Sequence, residues 1–247
     1  MKKDTLYRYF PITVSILGAA GLGLQLALRS LEETTGLLPQ GHPLHIGSVV
    51  LGCIVVGLAL CYLRAAMNRA KTQVFPSSVF SAAGAAISAF ALAFVGINSF
   101  RNAYDLLHSF DAATGLICVP CLLRIGWCRL KGRKSHLLLH GAVCIFFAAH
   151  MICQYRIWSG MSQLEFYFFP MFACVFLSLF AYYRIAWEVD MAKGNILHFS
   201  GLMAAFCSIC AMADAQNRRF FFAGAIWALT SLPALSQNLE ENNNVSA

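Results

Sequence analysis

Eight apolar segments interrupt this chain, and Lys and Arg collect in every second gap between them. One set of gaps holds Lys2, Lys3 and Arg8, then Arg64, Arg69 and Lys71, then Arg124 to Lys134, then Arg184 and Lys193. The intervening gaps hold only Arg29, Arg101, Arg156 and the pair Arg218 and Arg219. Positive charge marks the cytoplasmic side of a multi-pass protein, so the alternation predicts an oriented membrane protein with both termini in the cytoplasm. The last outer turn, with Arg218 and Arg219, departs from the pattern. The first half and the central basic loop therefore set the expected orientation.

The segments run roughly 16 to 24 residues, enough to span a hydrocarbon core of about 30 Å at about 1.5 Å per residue. Of 247 residues, 59% are hydrophobic and 12% charged, about half the charge of a soluble domain. A soluble chain of this size has no means of hiding so many uncharged blocks from water. The net charge of +7 resolves by side. Inner gaps and termini carry 13 Lys and Arg against five acids, and outer gaps carry five against six. The basic balance thus reports orientation and contact with anionic lipid headgroups. No basic stretch is interleaved with aromatics as a nucleic-acid surface would be, so no nucleic-acid partner is expected.

Lipid offers no hydrogen bonds to a backbone, and the segments lack the alternation of a barrel, so each is expected to be helical. The expected helices are 10–28, 44–63, 77–100, 112–127, 136–155, 166–187, 196–213 and 220–235. The fold class is therefore all-α: a polytopic bundle of eight transmembrane helices in one domain over 1–235. The first segment runs on to Leu28 without a small-x-small cleavage site and is expected to be retained. A polar tail, 236–247, is expected to be disordered and cytoplasmic. Cys61-Tyr62-Leu63-Arg64-Ala65-Ala66 is echoed by Ala181-Tyr182-Tyr183-Arg184-Ile185-Ala186. The echo suggests a 4+4 repeat, 1–128 and 129–235, related by an axis along the membrane normal.

Few residues carry recognisable chemistry. No Asp or Glu falls at the middle of a segment; Asp111 and Asp214 flank the outer ends of the fourth and seventh. His140 and His150 lie in the fifth helix and His198 at the inner end of the seventh, where neutral imidazoles would ligate haem iron or relay protons. The first two are about 15 Å apart along the helix and cannot share one metal. One inner haem b between His140 and His198, or a quinone, is the redox alternative. Two Cys-x-x-Cys pairs, Cys118 with Cys121 and Cys207 with Cys210, lie about 10 Å inside the outer surface. Four thiols at that depth would suit a dithiol relay resembling membrane thiol oxidoreductases. No cysteine lies in an outer loop, so packing is the simpler role. His42 and His45 lack a third ligand nearby and read as the entry turn of the second helix. No metal site is expected.

The segment Thr35-Gly36-Leu37-Leu38-Pro39-Gln40-Gly41-His42-Pro43, with Tyr183-Arg184 and Gly224-Ala225-Ile226-Trp227-Ala228-Leu229, resembles a group of bacterial multi-pass membrane proteins of no assigned activity. The resemblance implies an inner-membrane location and no reaction. Eight helices is also the count of the dimethyl sulfoxide reductase membrane anchor, a topological likeness alone. No Walker loop, His-Glu-x-x-His or Gly-x-Ser-x-Gly motif is present. The chain therefore reads as a non-enzymatic small-molecule permease, or as a helical subunit associated with other membrane subunits. A substrate route would run between the halves past Gln25, Asn98, Thr114 and Gln154.

Overall fold

A helix in lipid bonds its own backbone and leaves only its side chains to choose neighbours. The computed structural model follows that rule throughout. It describes residues 3–35, 42–66, 77–160, 167–189, 191 and 194–245. The elements are α1 (Lys3–Thr35), α2 (Pro43–Ala66), α3 (Val79–Arg101), α4 (Leu106–Leu130), α5 (Leu137–Trp158), α6 (Phe168–Glu188), α7 (Gly194–Ala211) and α8 (Arg218–Val245). All eight expected helices are present, most extended by a few residues. α1 runs on to Thr35, and α4 begins at Leu106 and passes through Pro120. α8 continues helical through the polar residues 236–245, where the sequence suggests no order.

Seven helices, α1 to α7, are long and apolar enough to cross a membrane. The chain is thus an apolar, all-helical bundle of the kind that lives in a bilayer. α8 is not one of the seven, although its Phe220–Leu232 portion is deeply packed.

Helices α3 to α8 pack in chain order, and α8 returns to α3 to close a ring. Aromatic rings fill its middle. Phe147 of α5 stacks on Trp227 of α8 at 5.5 Å, and Phe180 of α6 meets Trp227 edge-on at 4.9 Å. α1 lies outside the ring against α7, and α2 covers α1 and α7. That makes α7 the central helix. Its span is 83% buried, against 17% for α2, as expected of a helix apolar on every side.

The two halves pack differently. α6 packs closely on α7, whereas α2 and α3, the corresponding pair of the first half, do not form a packed pair. The echoed arginines also differ in surroundings: Arg64 is exposed and Arg184 is 3% exposed.

Small residues set the closest approaches. A Cβ added at Gly84 of α3 would strike the Thr230 side chain of α8, and Ser88 one turn on donates to the Ala223 carbonyl at 2.9 Å. A Cβ at Gly21 of α1 would strike Cys210 Sγ of α7. Gly57 of α2 faces open space.

Gly84→Val is expected to cost about 1–3 kcal/mol by overpacking the α3–α8 seam. Gly57→Ala should be neutral or stabilise by up to about 1 kcal/mol through helix propensity. Denaturation of the purified protein in mixed micelles, followed by circular dichroism, measures both.

Candidate functional site

Antiparallel packing brings the sequence's few polar side chains to the two ends of the bundle. At one end the helix termini carry Asp105, Asp111 and Asp214; at the other they carry Arg129, Arg184 and Glu188. These are called here the aspartate end and the arginine end.

The aspartate end begins with a well-capped helix. Asp105 is the N-cap of α4, and its Oδ1 accepts from the His108 amide at 2.8 Å. His108 Nδ1 lies 2.8 Å from the same oxygen, and Arg156 Nη1 donates to Oδ2 at 2.8 Å. The His108 amide bond, then its ring, and the charge of Arg156 hold the Asp105 carboxyl below its ordinary value.

Two turns further in, Asp111 faces the bundle and is 5% exposed. Its Oδ2 is 2.9 Å from Nδ1 of His150 on α5, which is 2% exposed. The His150 ring stacks on Phe220 of α8, centroids 3.8 Å apart. One turn along α5, Gln154 Oε1 accepts from Asn217 Nδ2 at 3.0 Å, and Asn217 also donates to Asp214 Oδ2 at 3.0 Å. Arg29 of α1 lies 3.6 Å from Asp214. A chain of polar contacts thus ties α1, α4, α5 and α8 together at this end.

Beside this chain lies a cavity of about 610 Å³, within the usual range of about 300–1,000 Å³ for small-molecule sites. Asn98, Asp111, Gln154 and Asn217 supply polar wall, and Phe94 and Phe220 supply apolar wall. Tyr104 and the exposed Arg218 and Arg219 lie along it as well. Two buried polar atoms here have no hydrogen-bond partner among the described residues: Asp111 Oδ1 and His150 Nε2.

The arginine end is closed by buried charge. Arg129 of α4 forms an ion pair with Glu188 of α6; both are buried. Ser135 Oγ donates to Glu188 Oε1 at 3.1 Å and lies 2.7 Å from His140 Nε2. With that hydroxyl proton on the carboxylate, its oxygen accepts from His140 Nε2–H. Arg184, one turn before Glu188 on α6, is buried and close enough for its charge to act on both His140 and His198. Arg129 therefore pairs directly with the carboxylate, and Arg184 acts on it through charge alone.

Sequence-predicted residues separate into those the fold gathers and those it scatters. Asn98 and Gln154 both line the cavity. Thr114 bonds the carbonyls of Phe110 and Asp111 on its own helix, at 3.0 and 2.9 Å. Gln25 is buried on α1, outside the cavity wall. His150 and His140 sit in opposite polar clusters. His140 and His198 lie on α5 and α7, which are not a packed pair.

Cys118 and Cys207 are buried on α4 and α7, also not a packed pair, and all four candidate thiols are free. Cys210 Sγ points to the Gly18 carbonyl at 3.7 Å. Cys121 is half-buried at the α4 surface. No group of three or more His, Cys, Asp or Glu is placed to hold a metal among the described residues. His42 uses its ring and carbonyl to start α2, accepting from the Leu44, His45 and Ile46 amides.

The sequence pattern missed Asp111 as an inward-facing group and counted Arg129, Arg184 and Glu188 as loop charges. One signal was available: Arg184 and Glu188 are four apart, on one helix face. Comparison of the chain with protein-family models, curated proteins and solved structures gives no match.

Glu188→Ala strands the buried Arg129 guanidinium and is expected to destabilise by about 3–5 kcal/mol. Arg184→Met leaves Arg129 with its carboxylate and should cost less, by the same denaturation assay. A carboxyl held low in the folded state stabilises above its unfolded value of about 3.9, and that contribution is lost as pH falls through the lower folded value. Asp105→Asn should therefore lower the melting temperature more at pH 7 than at pH 3.

Proposed function

We propose that this protein is a multi-pass membrane permease that admits a small polar solute through the cavity at its aspartate end. The supporting observation is the pairing of that cavity with a buried carboxylate oxygen that no described residue satisfies. Buried polar atoms without partners are costly, and this one belongs to a residue of the cavity wall. The wall draws on α3 and α4 from one half and α5 and α8 from the other, the between-halves position expected of a transport route. On this reading α8 is the eighth crossing. The aspartate end faces outward, as the loop charges require, and the paired charges of the arginine end close the inner side. The bilayer of a bacterial inner membrane, with anionic headgroups against the basic loops, completes the setting.

A redox reading has one observation in its favour. His150 hands Nδ1 to a carboxylate and keeps Nε2 without a described partner, as metal-bound histidines do. His150 is not among the residues that line the cavity, whereas Asp111 is, so transport is the better-supported reading. A Soret band in the purified protein would reverse this order.

With Asn98→Cys, a membrane-impermeant cationic thiol reagent added to intact cells should label the cavity faster than the parent protein's own thiols react. Ile87→Cys, on the lipid-facing side of α3, should not be labelled. Proteoliposomes should take up at least one solute from a panel of radiolabelled polar metabolites, and Asp111→Asn should abolish that uptake. Absence of labelling at Asn98 would remove the reading.

A further inference from the structure

Resting on that reading, we propose that the solute is an organic cation, an amine or quaternary ammonium. Asp111 is its counter-ion, and the Phe94 and Tyr104 rings are its walls, with buried Phe220 behind them. Three observations converge on this chemistry.

The first is charge. Asp111 is the carboxylate of the cavity wall, and its Oδ1 has no hydrogen-bond partner among the described residues. His150 Nδ1 meets Oδ2 at 2.9 Å and leaves Oδ1 over. A carboxylate 5% exposed is stabilised by a cation.

The second is the wall. Aromatic faces beside a carboxylate attract ammonium groups, whose weakly hydrated charge sits over the ring quadrupole. Phe220 is held by the His150 stack at 3.8 Å, and Tyr104 by a tilted contact with His108 at 4.0 Å. Phe94 is fixed by α3 and reaches the cavity without being buried.

The third is what the wall lacks. A metal cation such as Ca²⁺ takes about six to eight oxygens in one shell, and no metal-holding group occurs among the described residues. Carboxamides complete the polar lining instead: Gln154 and Asn217 bond each other, and Asn98 lines the same cavity. The positive groups near the site do not cancel this. Arg218 and Arg219 also line the cavity but are solvent-exposed, and the high dielectric around them weakens their charge. Arg156 and His108 are occupied by Asp105.

The test uses three probes of similar shape and different charge: tetramethylammonium, tert-butanol and pivalate. Full-length protein in lipid nanodiscs is titrated with radiolabelled tetramethylammonium, with the other two as competitors. Saturable binding is expected, with competition by neither isostere. Asp111→Asn should weaken it at least tenfold, while Glu32→Gln, an acid outside the cavity wall, should leave it unchanged. Phe94→Leu should weaken it about two- to fivefold, the reach of one cation–π contact, and Phe94→Tyr should restore it. Because Phe94 is 64% exposed, that pair decides the matter even if Asp111→Asn does not fold. Equal competition by pivalate or tert-butanol, or full binding in Asp111→Asn, overturns the assignment. So does the absence of saturable binding in the parent protein. If Asn98→Cys is labelled from outside and tetramethylammonium does not bind, the solute class fails and the permease reading stands.

Discussion

A bundle in lipid cannot be held by the hydrophobic effect, because the solvent is as apolar as the side chains. What this fold depends on is the pairing of its few buried polar groups across helix boundaries. Arg129 and Glu188 join α4 to α6, with Ser135 and His140 of the intervening segment drawn in. At the opposite end Asp111 and His150 join α4 to α5, and Gln154 and Asn217 join α5 to α8. Between these two polar layers the ring interior is aromatic and aliphatic. An apolar contact surface tolerates sliding; a directional buried polar pair at each end of α4 does not. The register of the helices is therefore fixed where the charges are.

Much of the architecture was legible in the sequence, because the bilayer enforces it. Long uncharged blocks must be helices, and short gaps must reverse direction; each of the eight segments is a helix close to its expected position. Helix ends were less legible. α4 starts six residues before its apolar block because Asp105 caps it, a local hydrogen bond that a hydropathy pattern does not register. The neighbour list was not legible at all. Nothing in the composition of the first hairpin says that it will lean on α7 and leave α3 alone.

The site was half legible. Asn98 and Gln154 stood out as polar residues in apolar surroundings, and both line the cavity. Gln25 and Thr114 stood out for the same reason, yet Thr114 spends its hydroxyl on its own helix. Polarity in a span says that a partner must exist, not whether the partner is local. The charged residues misled in the other direction. Arg129, Arg184 and Glu188 lie at segment ends, where snorkelling to the headgroups is the default. Only the facing helix shows that they turn inward. Position along the chain gives depth, and the direction a side chain points comes from its neighbours.

The placement of α7 has a consequence for how the molecule is made. The α1–α2 hairpin is synthesised first, and its main support beyond itself is α7, with α8 touching α1. That support begins at Gly194, more than a hundred residues after α2 ends at Ala66. At a synthesis rate of about 5–20 residues per second, the delay is on the order of ten seconds. Throughout it, Gly18 and Gly21 lack the α7 side chains Ile209 and Cys210 that later fill against them. The nascent chain must therefore hold its first two helices in the bilayer, or beside the insertion machinery, until the seventh arrives. The last quarter of the polypeptide completes the seat of the first.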